Sequence, residues 1–121
     1  MAMVYKPRSE LRPRELDGIS EDQIAQHWSL YEGYVKNVNL LNEKISERVR
    51  KNDFGPEFAE LKRRLGFEFD GMILHEHYFS VLKPGQTPLD EAAELSKQLK
   101  ESFGGFEQWR REFAAMGKIR G

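Results

Sequence analysis

A chain of 121 residues carries one small domain's worth of core, enough for about two layers of helix. Charged residues make up 32% and apolar residues 39%, with a formal charge of −1, so there is no basic surface of the kind that binds nucleic acid. Cysteine is absent, which excludes disulfides, thiolate metal sites and a cysteine nucleophile, and leaves only nitrogen and oxygen as metal donors.

Residues 1–18 hold Pro7 and Pro13 among basic side chains and few apolar ones, and read as an extended arm lying on whatever follows. They contain no apolar run of signal-peptide length, and no later stretch approaches the roughly 20 apolar residues of a membrane span. The expected location is therefore the cytoplasm, to which a cysteine-free composition is suited.

Ser20 with Gln23 forms a capping-box pattern that predicts the start of a helix. From there Ile24, Trp28, Tyr31, Val35, Val38, Asn42, Ile45 and Val49 recur at steps of four and three, a long apolar seam broken only by Asn42. His27 and Tyr34 lie on the flank of that seam. Asn52, Asp53, Gly55 and Pro56 interrupt it, and Pro56 suits the first turn of a second helix, whose apolar side opens with Phe58, Leu61 and Leu65. Gly66 and Gly71 predict a kink or brief break. Met72, His75, Phe79 and Leu82 then place His75 in a core-facing slot, whereas His77 points about 160° away. Lys83-Pro84-Gly85-Gln86 is a turn. Thr87 and Pro88 predict an N-cap and first helical position for a third helix running to Ser102, ended by Gly104-Gly105. Phe106, Trp109, Phe113 and Met116 mark the apolar face of a short fourth helix. The expected fold is all-α: a long antiparallel helical hairpin over residues 19–83 and two shorter helices over 84–121.

Two histidines on facing sides of adjacent helices are one way in which a helix pair builds a metal site. Neutral imidazole with carboxylate suits zinc, copper, iron or manganese. The plain alternative for each is a hydrogen-bonded core histidine, and Trp28, Tyr31 and Tyr34 read equally as core aromatics. Lys62-Arg63-Arg64 and Arg110-Arg111 read as solvated faces.

The order of these residues is informative beyond their periodicity. Ile19-Ser20, His27, Tyr34-Val35-x-Asn37-x-Asn39, His75-x-x-Tyr78-Phe79 and Ser102-Phe103-Gly104-Gly105-Phe106 together resemble the iron/manganese superoxide dismutases, from about residue 12 to residue 116. The resemblance covers that family's N-terminal hairpin and the first two helices of its C-terminal domain. It implies that His27 and His75 are ligands of a mononuclear Fe or Mn site, that Tyr34 is a gateway residue for superoxide, and that superoxide is dismuted to oxygen and peroxide. Three departures stand out. Seven residues separate His27 from Tyr34, one fewer than is usual in the family, although roughly seven residues of α-helix still return to one face. Leu30 and Tyr31 stand where the family often has two histidines, and Leu74 precedes His75 where it has asparagine. The third departure is that no Asp-x-Trp-Glu-His run, the source of the family's Asp and third His ligands, occurs before Gly121. The chain is therefore expected to be truncated and to supply only two ligands, the rest coming from a complementing C-terminal segment or another chain, with a homodimer as the expected assembly. The competing expectation is a helical interaction or oligomerisation module derived from that fold without its chemistry.

Overall fold

The computed structural model describes residues 3–120, and within them the fold is all helical. The chain divides into two units after Gly85. In the first, a single 3-10 turn, Ser9–Leu11, precedes two long helices, α1 (Glu21–Arg50) and α2 (Pro56–Ser80). In the second, α3 spans Glu94–Phe103 and α4 spans Phe106–Met116.

Helix α1 starts where its capping box predicts. The Gln23 amide donates to Ser20 Oγ (3.1 Å) and the Ser20 amide to Gln23 Oε1 (3.0 Å), satisfying two otherwise orphaned donors. Glu21 and Asp22 in the first turn and Arg48 and Arg50 in the last oppose the helix dipole. At the far end Asn52 takes a left-handed conformation (φ 52°); its amide bonds Val49 O and the Asp53 amide bonds Arg48 O, a Schellman closure that turns the chain toward Pro56. The Arg48 side chain bonds both Asp53 and Glu57 across this corner.

Cross-helix bonds pair Tyr31 with Glu76 and Asn37 with Glu68, so α1 and α2 run antiparallel. Trp28, Tyr31, Val35, Val38, Met72 and Phe79 form the buried core between them, with Tyr5, Leu11, Tyr34, Leu65, Ile73 and Leu82 packed around it. Toward the end of α1 the buried stripe swings to Leu41 and Ile45, leaving Asn42 half-buried and Val49 exposed. A seven-residue repeat drifts about 20° per heptad on a straight helix, so the expected Asn42 and Val49 rotate off the seam.

Helix α2 is continuous through both glycines, contrary to the expected break. Interior glycine costs about 1 kcal/mol relative to alanine. Here the buried flanking residues hold the helix, Arg64 Nε and Nη2 bond Glu68 Oε1 across Gly66 (2.8 and 2.6 Å), and His75 Nδ1 engages the Gly71 carbonyl. The segment before α1 packs against the hairpin. Asn39 grips the Tyr5 backbone twice, Oδ1 accepting from its amide at 2.8 Å and Nδ2 donating to its carbonyl at 2.9 Å, and Pro13 is buried.

In the second unit the helix expected from Pro88 begins six residues later, at Glu94. Asp90 explains the delay. Its Oδ1 accepts from the Ala92 amide (2.9 Å), and its carbonyl accepts from Ser96 Oγ (2.5 Å) and the Ala93 amide (3.0 Å), which folds residues 90–93 into a turn instead of a first helical turn. Gly104, at φ 81°, ends α3 in the left-handed geometry that favours glycine, and its amide bonds Lys100 O. Phe106, Trp109 and Phe113 stack along α4 at 5.5 and 5.3 Å between ring centroids.

Candidate metal centre

His27 and His75 meet across the hairpin. Their ring centroids are 4.8 Å apart with the planes at 76°, and both side chains are half-buried. Two features position them. Core packing fixes the turn of each helix: Ile24 and Trp28 are buried on either side of His27, and Met72 and Phe79 on either side of His75. Aromatic walls then enclose the rings, with Phe79 4.9 Å and Tyr78 5.0 Å from His27.

His75 Nδ1 lies 2.6 Å from the Gly71 carbonyl. A carbonyl only accepts, so Nδ1 carries a proton and donates it, the arrangement that metal ligation through Nε2 requires. The His27 imidazole is pushed below its ordinary pKa, first by burial and then by the neighbouring His75, so its neutral form is favoured.

Tyr34 packs at 5.1 Å from His75, on the same side of α1 as His27, so the seven-residue spacing does return to one face. Gly71 makes that approach possible, because a Cβ there would stand 2.4 Å from two atoms of the Tyr34 ring. Tyr34 borders a shallow recess with Ser29, Asn37 and Phe67, and a second recess lies beside His27, Leu30 and Tyr78. His77 is exposed on α2, separate from the pair. Behind His75, Tyr31 is fully buried and its hydroxyl is pushed up to about 12, chiefly by burial. Among the described residues no group of three or more His, Cys, Asp or Glu side chains could hold a metal ion.

Periodicity alone passed over Glu68, Glu76 and Arg8. Glu68 is 2% exposed and bonded to Arg64 and Asn37. It falls between Leu65 and Met72 in the same four-and-three seam that selected His75, which was the available signal. Arg8 acts mainly through its backbone amide, for which no side-chain pattern exists.

The shift at His27 makes stability pH-dependent. The unfolded chain takes up a proton near the ordinary histidine value of about 6.5, whereas the folded site resists it. Stability is thus full above that value and falls as pH drops through it toward the lower folded pKa. Urea midpoints measured between pH 8 and 5 are expected to show this decline, and His27→Gln to flatten it.

Hairpin, buried core and a facing pair of imidazoles define an all-helical protein that brings two candidate nitrogen donors together. Sequence comparison points the same way. The chain is 35% identical to an iron superoxide dismutase of Aquifex aeolicus over 116 residues, covering 91% of this chain and 54% of that protein. It is 38% identical over 112 residues to an iron superoxide dismutase of Cupriavidus metallidurans, covering 90% and 54%. It is 30% identical over 99 residues to a mitochondrial manganese superoxide dismutase of Glossina morsitans morsitans, covering 81% and 44%. The chain is thus a relative of the iron and manganese superoxide dismutases, and it spans about half the length of the curated relatives it matches. No family model and no solved structure matches it. No helix among the described residues is long and apolar enough to cross a membrane.

Proposed function

We propose that this chain contributes His27 and His75 as two ligands of a mononuclear iron or manganese centre, and that the protein it forms dismutes superoxide to oxygen and hydrogen peroxide. The observation that carries this is the 4.8 Å approach of two imidazoles on facing helices, with His75 Nδ1 tied to Gly71 O. The donor set fits the metal as far as it goes: imidazole suits both ions, and an Asp and a further His would come from additional chain or from a partner. In this reading residues 1–18 are an arm, 19–83 the hairpin domain and 84–121 the opening helices of a second domain. The whole acts in the cytoplasm, as a homodimer or with a complementing segment.

When bound, the metal supplies one-electron steps in both directions, so that two superoxide ions and two protons give one oxygen and one peroxide. The chain's own residues do the rest. His27 and His75 offer ring nitrogens to the metal, with the Gly71 carbonyl holding His75 Nδ1 so that its Nε2 is the nitrogen available. Tyr34, half-buried at the rim of a recess, orients the incoming anion, while Phe79 and Tyr78 keep bulk water from the histidine rings.

The test is metal analysis of the purified chain and of its longest natural form. Tightly held iron or manganese, lost in both His27→Ala and His75→Ala, is the expected result; variants that retain the wild-type metal content overturn the assignment. A second reading, a non-catalytic interaction module, is favoured by the exposed Leu30, Phe67 and Leu74 bordering the pair. It predicts self-association with no metal in any form of the protein.

A further inference from the structure

We propose that Tyr31, held between the arm and α2, is a positioning residue for His75. The proposal rests on the reading of His75 as a ligand. Tyr31 is 0% exposed, and its hydroxyl has two partners: it donates to Glu76 Oε1 at 2.9 Å and accepts from the Arg8 amide at 3.0 Å. Glu76 directly follows His75 on α2, and its carboxylate is also faced by the Arg8 guanidinium at 3.8 Å. The Tyr31 ring lies nearly parallel to the His75 imidazole, 16° between planes with centroids 6.4 Å apart, and is itself wedged edge-on by Trp28 at 4.9 Å.

The consequence is mechanical. A helix can rotate about its axis by several degrees without losing its own hydrogen bonds, and such a rotation would swing His75 away from His27. The Tyr31–Glu76 bond fixes α2 against α1 one residue from His75, and the arm closes the other side of the hydroxyl so that it cannot turn to another acceptor. The hairpin's second buried polar tie, Asn37 Nδ2 to Glu68 Oε2 at 3.1 Å, lies about two turns away along α2 and has no contact with either histidine.

Tyr31→Phe removes the hydroxyl and keeps the ring; Asn37→Ala removes the other tie and serves as the control for lost stability alone. Long-range proton–nitrogen spectra of the histidine rings are the first readout, with exposed His77 as an internal reference. Manganese(II) titration is the second. Tyr31→Phe is expected to move the His27 and His75 ring signals, leave His77 in place, and weaken manganese binding by about 10- to 100-fold. Glu76→Gln, which keeps an acceptor oxygen, is expected to retain wild-type spectra, and Glu76→Ala to reproduce Tyr31→Phe. Unmoved ring signals in Tyr31→Phe, or equal changes in Asn37→Ala, overturn the proposal. A longest natural form of the protein that takes up no manganese refutes the ligand reading instead, and the ring spectra still decide the positioning role.

Discussion

Phe79→Ala is expected to cost about 3–5 kcal/mol of unfolding free energy. Phe79 is 1% exposed and touches the core from both directions, with Trp28 at 5.1 Å, Tyr31 at 6.1 Å, His27 at 4.9 Å and His75 at 6.2 Å between ring centroids. Removing the ring forfeits its transfer free energy and leaves a cavity that two straight helices, tied at Asn37–Glu68 and Tyr31–Glu76, cannot collapse to fill. Small domains have roughly 5–15 kcal/mol in total, so the variant stands near its folding limit. Urea denaturation followed by helical circular dichroism measures the change. Phe113→Ala, at a side chain 65% exposed in the other unit, is expected to stay within about 0.5 kcal/mol of wild type. A Phe79 variant that loses under 1 kcal/mol would show that the two helices do relax into the space.

Much of this arrangement is legible in the sequence, because the features concerned are local. The Ser20–Gln23 capping box, Pro56 at the head of α2 and the Gly104-Gly105 junction each act within a few residues, and each marks a boundary correctly. The apolar seam is legible for the same reason, until accumulated drift exchanges Asn42 for Leu41. What propensity and punctuation misjudged is decided by specific side-chain bonds to nearby backbone and side chains. Gly66 and Gly71 weaken a helix in isolation, yet Glu68 and His75 brace α2 from within by bonds to Arg64 and the Gly71 carbonyl one turn earlier. Thr87 and Pro88 look like a helix start, yet Asp90 and Ser96 capture the backbone first. The facing of His27 and His75 was readable from their slots on two seams. The bonds that orient them, from Gly71 O and through Tyr31 to the Arg8 amide, use main-chain atoms that every residue possesses, so no residue type announces them.

The two glycines of α2 separate these effects, because alanine at each is expected to act with opposite sign. At Gly66 a Cβ meets nothing within 4 Å, so Gly66→Ala adds only helix propensity and is expected to stabilise by about 0.5–1 kcal/mol. At Gly71 the same propensity gain is opposed by a Cβ 2.4 Å from Cδ1 and Cε1 of Tyr34 and 2.8 Å from Cζ, a distance at which something must move. Tyr34 has little room to yield, since His75 packs at 5.1 Å and Phe67 at 6.3 Å from its ring. Overpacking of this kind costs about 1–3 kcal/mol, so Gly71→Ala is expected to be destabilising despite its better helix former. The displacement should also reach the histidine pair, because the Gly71 carbonyl holds His75 Nδ1 and the Tyr34 ring borders the imidazole. A double-mutant cycle resolves the cause. In a Tyr34→Ala background the clash is gone, and Gly71→Ala is expected to become stabilising like Gly66→Ala, with a coupling of about 1–3 kcal/mol between the two sites. Additive effects at residues 34 and 71 would instead place the cost in the α2 backbone, and the close approach of Tyr34 to His75 would then not depend on glycine.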